Sequence, residues 1–300
     1  MNASNKRAVV IINCSAGNGH DKELENSLRD KFRAAGLDPD ITMATSADEM
    51  IETARAALGN GAQLVVAGGG DGTINAVATV MAGSGVPFGV LPLGTLNHFA
   101  RDLGIPLELD AAVRVLAGGR TKAVDVGEVN RRIFLNNSGL GLYPDIVHHR
   151  EKQQHRLGRG KWPAAVWATL AALRRFPFLS IRLEVDGQRL ARRTPFVFIG
   201  NNEYTMSGLA IGARPRLDAG KLSLYVAQRP GRLGLLRFAL RALLGKLAQE
   251  RDFDVMLADE MEIATRHKHL RVATDGEVTV MRPPLRYRVR PGALTVIVPT

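Results

Sequence analysis

Apolar and polar positions along the first 125 residues switch repeatedly between two periods. "AVVIIN" (8–13) is a continuous apolar run of strand length, and residues 20–35 carry Leu24, Leu28 and Phe32 at four-residue steps, which predicts a helix. "DITM" predicts a second strand, followed by a helix from about Asp48 to Leu58. A strand over 63–67, a helix over 73–82, the strand "FGVL" (88–91) and helices near 95–103 and 108–117 complete the series. Strands alternating with helices predict a parallel, Rossmann-like sheet with helices on both faces. From about residue 124 the texture changes. "AVDVGEVN", "RIFLNNSG", "LSIRLEVDG", "TPFVFIGN", "KLSLYVAQ", "EMEIAT", "LRVATDGE" and "LRYRVRP" are short, alternating and bounded by Gly, Asp or Asn. They predict a mainly antiparallel domain, interrupted by helical stretches at about 161–176 and 232–249. The expected division is therefore 1–125 and 126–291.

The hydrophobic fraction of 45% and charged fraction of 23% are those of a globular protein of ordinary composition. A single cysteine, Cys14, excludes an internal disulfide and a multi-cysteine metal site, and fits a reducing compartment. The N-terminus "MNASNKRAVVIIN" has no apolar core followed by a cleavage site, so no secretory leader is expected. Residues 72–100 lack Asp, Glu, Lys and Arg, but Gly, Pro and Asn interrupt them too often for a membrane helix. The net charge of +11 is unevenly placed: residues 1–125 hold 11 Lys/Arg against 14 Asp/Glu, a balance of −3, whereas residues 126–300 hold 29 against 15, a balance of +14. The second half is thus the part suited to a polyanionic surface, either nucleic acid or anionic membrane.

Glycine in series costs backbone entropy and packs nothing, so it marks a sharp bend or a close ligand. "VVAGGGDGTINAVA" (65–78) places such a run between a strand and a helix, where unpaired N–H groups and the positive end of the helix dipole suit an anion. It matches neither the GxxxxGKS loop nor GxGxxG. Asp71 would repel a bare phosphate, so a nucleotide with Mg²⁺ fits better; the bland alternative is a tight turn with Asp71 as a cap. "VLPLGTLNHFARDLGIP" (90–106) repeats the arrangement at Gly94 and Thr95, and "INCSAGNG" (12–19) supplies a third polar-glycine turn at the end of the first strand. Three such turns on one edge of a parallel sheet lie where these folds bind ligands.

Together "INCSAGNG", "GGGDGTIN", "LPLGTLNHFARDLGIP", "NNSGLGLYPDIV", "GNN…LDAGKL" and "TDGE" resemble, in order and over nearly the whole chain, the bacterial diacylglycerol kinase-type lipid kinases, relatives of sphingosine kinases and NAD kinases. The resemblance implies an α/β nucleotide domain, a C-terminal antiparallel β-sandwich, ATP in a cleft between them, and a last strand ("GALTVIVP", about 292–300) that returns to the first domain. Carried over by position, Asn13, Gly69, Gly70, Asp71, Gly72, Thr73, Asn75, Gly94, Thr95 and Asn97 would contact nucleotide phosphates or order the loops. A threonine after the second strand joins them, placed at Thr42, with Thr45 nearly as suitable. Asp71, Asp275 and Glu277 are the expected catalytic carboxylates. Glu277 would be the base and Asp275 would orient the hydroxyl or, with Asp71, hold the metal of Mg-ATP. If that segment is extended, residues two apart share a face; taken alone, Asp-Gly between strand-like runs would instead read as a hairpin turn.

Three positions depart from the family's pattern. Ala76 and His98 stand where acidic residues are common, and Ala219 in "LDAGKL" takes the place of an aspartate of a structural metal site, leaving Asp218 as its substitute. The run "HHREKQQHRLGRGKW" (148–162) reads as a solvated basic loop. Two apolar stripes, Trp162/Val166/Leu170/Leu173 and Leu233/Leu236/Leu240/Leu244/Leu247, the second flanked by Arg237 and Arg241, read as core or as basic amphipathic helices on an anionic membrane. The leading expectation is an ATP-dependent kinase acting on a membrane lipid such as diacylglycerol, cytoplasmic and peripherally membrane-associated, with a homodimer compatible. An NAD kinase-like enzyme is the second reading. A nucleotide- or nucleic-acid-binding regulator is the third, weakened by the lack of an aromatic RNA-binding motif or zinc spacing.

Overall fold

A computed structural model of the chain describes residues 7–14, 21–141, 179–185, 187–207, 210–211, 214–227 and 253–300. The helices expected at 161–176 and 232–249, the basic run 148–162 and most of the first polar-glycine turn lie outside these residues. The chain divides into two compact units, one of Met1–Val126, Leu217–Ala219 and Arg290–Thr300, the other of Gly127–Arg216 and Gly220–Val289. Leu217–Ala219, which the sequence pattern puts in the second half, thus cluster with the first unit, anchored by Asp125 N donating to Leu217 O at 2.7 Å.

The first unit is built from β1 (Ala8–Asn13), α1 (Asp21–Ala34), β2 (Asp40–Ala44), α2 (Ala47–Gly59), β3 (Leu64–Gly69), α3 (Asp71–Met81), β4 (Phe88–Pro92), α4 (His98–Asp102) and α5 (Leu109–Gly118). Its strands run parallel in the order β2-β1-β3-β4. Val10, Ile11, Ile12, Val65 and Val66 are fully buried, because helices cover both sheet faces; that is why these strands read as unbroken apolar runs. The order reverses between β1 and β3, so the carboxyl ends of those strands flank the ligand crevice typical of such sheets. Side chains cap two of the helices: Ser46 Oγ accepts from Glu49 N at α2, and Glu108 accepts from Asp110 N and Ala111 N at α5. Among the described residues the N-cap of α3, Gly70, offers no side-chain bond.

The second unit opens within β5 (Arg120–Val129) and continues through β6 (Arg132–Phe134), β7 (Asn137–Gly141), β8 (Leu179–Val185), β9 (Gln188–Thr194), β10 (Phe196–Asn201), the short pair β11 (Met206–Ser207) and β12 (Ala210–Ile211), β13 (Leu222–Ala227), β14 (Phe253–Ala258), β15 (Glu260–Thr265), β16 (Leu270–Thr274), β17 (Glu277–Met281) and β18 (Leu285–Val298). One antiparallel sheet has the order β14-β13-β10-β7-β16-β17, and the other places β9, β8, β15 and the first part of β18 side by side. Inward side chains of both sheets share one core that includes Ile181, Leu183, Val197, Ile199, Leu224, Ile263, Val272 and Tyr287, a β-sandwich. The alternate burial of Leu179, Ile181, Leu183 and Val185 along β8 stabilises it by about 1.5–3 kcal/mol per side chain.

The expected second-half strands are present, joined by β9, β11, β12 and β14, which the pattern did not predict. "RIFLNNSG" is divided into β6 and β7 by Leu135 and Asn136, and "LRYRVRP" with "GALTVIV" forms the single strand β18, whose end runs parallel to β4 through Val296 and Phe88. β9, "QRLARRT", carries no apolar alternation. It pairs with β8 over its full length through the backbone, which its exposed arginines do not hinder.

Candidate active site

In the first unit the carboxyl ends of β1, β3 and β4 bring the expected phosphate-binding residues together. Asn13, the last residue of β1, donates through Nδ2 to Thr73 Oγ1 at 2.8 Å, tying the first turn to the second. Leu93 N donates to Gly69 O at 3.1 Å, and Phe99 N donates to Asp71 Oδ1 at 3.3 Å, tying the second turn to the third. Asn97 holds that third turn in shape. It is left-handed (φ 50°) and buried, its Oδ1 accepts from Gly94 N at 3.0 Å, and its Nδ2 donates to Gly94 O at 2.7 Å. The glycines are required by contact. A Cβ on Gly94 would stand 2.4 Å from Gly70 Cα, and one on Gly69 would stand 2.5 Å from Thr73 Oγ1. Two backbones thus meet without side chains between them, beside the uncapped N–H groups of α3's first turn. Such a concave run of backbone N–H groups suits an anion.

The remaining expected residues occupy less decisive places. Thr95 is exposed and Asn75 is half-buried on α3. Thr42 lies within β2 opposite Ile11, two residues short of the strand end, whereas Thr45 lies just past it and bonds Glu49 Oε2 through N (2.7 Å) and Oγ1 (2.9 Å).

In the second unit the segment Thr274–Glu277 is a hairpin rather than an extended run. Thr274 pairs with Glu277, and Asp275 (φ 48°) and Gly276 (φ 88°) form the two-residue turn between β16 and β17. Asp-Gly in the left-handed region matches the twist of a two-residue hairpin. The expected side-by-side presentation of Asp275 and Glu277 on one strand face is therefore corrected. Asp275 turns inward, where its carboxylate accepts from Leu135 N (2.6 Å), Asn136 N (2.8 Å) and Asn137 N (3.0 Å), and its own N–H donates to Asn137 O at 2.9 Å. Burial pushes its pKa above the usual aspartate value, against those three N–H donors and the charge of Arg214, which pull it down. Glu277 is exposed at the start of β17, and Arg132 donates to its Oε2 through Nη2 at 2.5 Å while Nε bonds Thr274 Oγ1 at 2.9 Å.

A polar network that sequence patterning misses supports this hairpin. Buried Arg214 donates to Leu135 O (2.6 Å), Asn201 O (3.1 Å) and Asn136 Oδ1 (2.8 Å), and its guanidinium lies 5.5 Å from the Tyr204 ring centre. Asn201 Nδ2 donates to Leu135 O at 2.9 Å, while Asn201 N and Tyr204 Oη donate to Asn136 O at 2.9 and 3.0 Å. Residues 135–137 thus have their N–H groups held by Asp275 and their carbonyls by Arg214, Asn201, Tyr204 and the turn itself, as buried backbone demands. The asparagine pairs "NN" at 136–137 and 201–202, polar residues inside apolar strands, were the available signal.

No set of three or more His, Cys, Asp or Glu side chains able to hold a metal ion exists among the described residues. At the second-domain metal position Asp218 Oδ2 lies 3.4 Å from Lys122 Nζ and Ala219 brings no ligand, so these residues do not fit a divalent cation. At Asp71, Oδ1 accepts from Phe99 N, which leaves the second oxygen for a cation carried by a nucleotide.

Residues 7–129 match the diacylglycerol kinase catalytic domain, and residues 145–298 match the YegS C-terminal NAD kinase beta sandwich-like domain, over half the chain by itself. The chain belongs to the diacylglycerol kinase-type lipid kinase family. Similar members include a probable lipid kinase YegS-like of Pseudomonas fluorescens, 31% identical over 306 residues (99% of this chain and 96% of that one), and the diacylglycerol kinase of Bacillus subtilis, 28% identical over 284 residues (93% and 92%). The fold of this family member is shared with a putative diacylglycerol kinase from Bacillus anthracis at a TM-score of 0.76 and 22% identity, covering 99% of this chain and 98% of that structure.

Proposed function

We propose that this family member is a lipid kinase that transfers the γ-phosphoryl group of Mg-ATP to a hydroxyl of a membrane lipid, with diacylglycerol the first acceptor to test. The observation that carries this reading is the stitched pair of glycine turns. Asn13–Thr73 and Asp71–Phe99 fix the ends of β1, β3 and β4 around the Gly70–Gly94 approach. Phosphoryl transfer through a loose transition state depends on positioning and charge neutralisation more than on a strong base. Mg²⁺ bound to the nucleotide supplies part of that neutralisation. The N–H groups of α3's first turn bind phosphate oxygens, with Asn97 holding the third turn closed beside them. Glu277 accepts the proton of the attacking hydroxyl, and Arg132 aims its carboxylate. Asp275 acts as a positioning residue that fixes the hairpin from below. On this reading the lipid is reached from the cytoplasmic membrane surface.

The test is transfer from γ-labelled ATP to extracted membrane lipids, alongside Glu277→Gln. Label is expected in the organic phase with the native protein and at background with the variant, whose ATP affinity stays within a few-fold. Label recovered only in NADP would favour the NAD kinase-like reading, and full activity of Glu277→Gln would remove the base assignment.

A further inference from the structure

At one end of β8, β9 and β15 lies a shallow depression of about 560 Å³ lined by Ser180, Arg182 and Arg193 from the outward sheet face, by Arg192 and Thr265, which share the core-side register of Ile181, and by Arg266. Strand register explains the concentration. Ser180 is opposite Arg193, Arg182 is opposite both Ala191 and Ala264, and Arg266 follows directly after Thr265. Arg182 and Arg193 are therefore diagonal neighbours on one sheet face, within reach of a single anionic group. All four arginines are exposed. No carboxylate lines the depression. Those of this face on β8 and β15 stand further along the strands: Glu184 accepts from Arg189 at 3.1 Å, Glu262 accepts from Arg286 at 3.1 Å, and Glu260 is opposite Arg288. Arg192 is 3.5 Å from Asp254, whereas among the described residues neither Arg182 nor Arg266 has an ion-pair partner. The exposed run Arg266-His267-Lys268-His269 extends the positive surface towards β16.

Like charges gathered on one face repel, a cost that an anionic partner removes. Guanidinium groups bind phosphate through paired N–H donors. The lining holds no aromatic ring on which a base could stack, as a single-stranded nucleic acid site would. The geometry points to this arginine face as the surface that docks the protein on an anionic phospholipid bilayer, one phosphate-bearing headgroup seated in the depression and neighbouring headgroups under Arg266–His269. The inference deepens the lipid kinase reading and rests on it for the membrane as partner. It adds a sheet face to the helical stripes expected from sequence as a membrane contact.

The experiment is co-sedimentation of the full chain, without nucleotide, with phosphatidylcholine vesicles containing or lacking phosphatidylglycerol. The native protein should bind the anionic vesicles alone, and more weakly as salt rises. Replacing Arg182, Arg193 and Arg266 together by Gln should weaken binding on the order of 100-fold. The corresponding Lys triple variant should stay within a few-fold of native. Phosphorylation of diacylglycerol in neutral detergent micelles should be the same for all three proteins. Equal vesicle binding by the native and Gln proteins, or binding of a single-stranded oligonucleotide in place of vesicles, would overturn the inference. Charge-dependent vesicle binding in a protein that phosphorylates no lipid would leave the docking surface standing and the kinase reading refuted.

Discussion

Arg214→Met tests whether a buried cation holds the hairpin that carries Glu277. Met keeps most of the side-chain volume and removes the charge. Its loss strips donors from Leu135 O, Asn201 O and Asn136 Oδ1, at 2.6, 3.1 and 2.8 Å in the native protein. Bonds from a charged donor contribute about 1.5–3 kcal/mol each. Two effects reduce the total: Leu135 O keeps the Asn201 Nδ2 bond, and the desolvation of a buried guanidinium is no longer incurred. A net loss of about 3–5 kcal/mol is expected, the range for breaking a buried charged network by removing one partner. The change also has a pH signature. Burial raises the Asp275 pKa and Arg214 opposes the rise, so removing Arg214 moves it further above the unfolded value. For an acid with a raised folded pKa, the stabilising contribution is complete below the unfolded pKa and is lost as pH rises through the folded one. The deficit of the variant should therefore be larger in neutral solution than in mildly acid solution. Urea denaturation at several pH values measures this, and the double variant with Asp275→Asn should lose less than the sum of the single losses. A loss under about 1 kcal/mol, a deficit independent of pH, or strict additivity with Asp275→Asn would refute the clamp.

Gly94→Ala brings a methyl group to 2.4 Å from Gly70 Cα, a backbone atom that no rotamer change can move aside. It should cost about 1–3 kcal/mol of stability and raise the KM for ATP more than it lowers kcat, read by chemical denaturation and steady-state kinetics; native ATP affinity would dissociate the glycine approach from nucleotide binding. Within the first unit, Lys31 bonds Asp110 and holds its carboxyl below the usual aspartate pKa. Lys31→Met should raise that pKa in an NMR titration. The stabilising contribution of the pair is present above the unfolded value and lost as pH falls through the lowered one, so the two proteins should converge in stability in acid.

The parallel half was legible residue by residue. Unbroken apolar runs bounded by polar turns left β1, β3 and β4 little latitude, and predicted and observed ends differ there by a residue or two because burial on both faces allows no other use of such segments. The glycine turns were legible for a related reason: only a residue without a Cβ at position 94 can approach Gly70 Cα so closely. Local pattern was a poorer guide in the second half. β9 carries Gln188 and Arg192 at core-side register positions, opposite Val185 and Ile181, where apolar residues usually betray a strand, and only pairing with β8 decides its conformation. For "TDGE" both a hairpin and an active-site strand were open from sequence, and the turn won because Asp275 finds three N–H donors inside.

By itself the amino-acid order determined the fold class, the succession of elements in the parallel half, the glycine turns after β3 and β4 and the imbalance of charge between halves. These depend on periodicity and on the steric freedom of glycine, which act over a few neighbouring residues. Tertiary structure alone decided that Arg214 would lie beneath residues 135–137, that Lys122 would face Asp218, and that arginines of β8, β9 and the end of β15 would share one depression. Those groups are far apart in the chain, and their meeting depends on strand register and sheet packing, which no local pattern records.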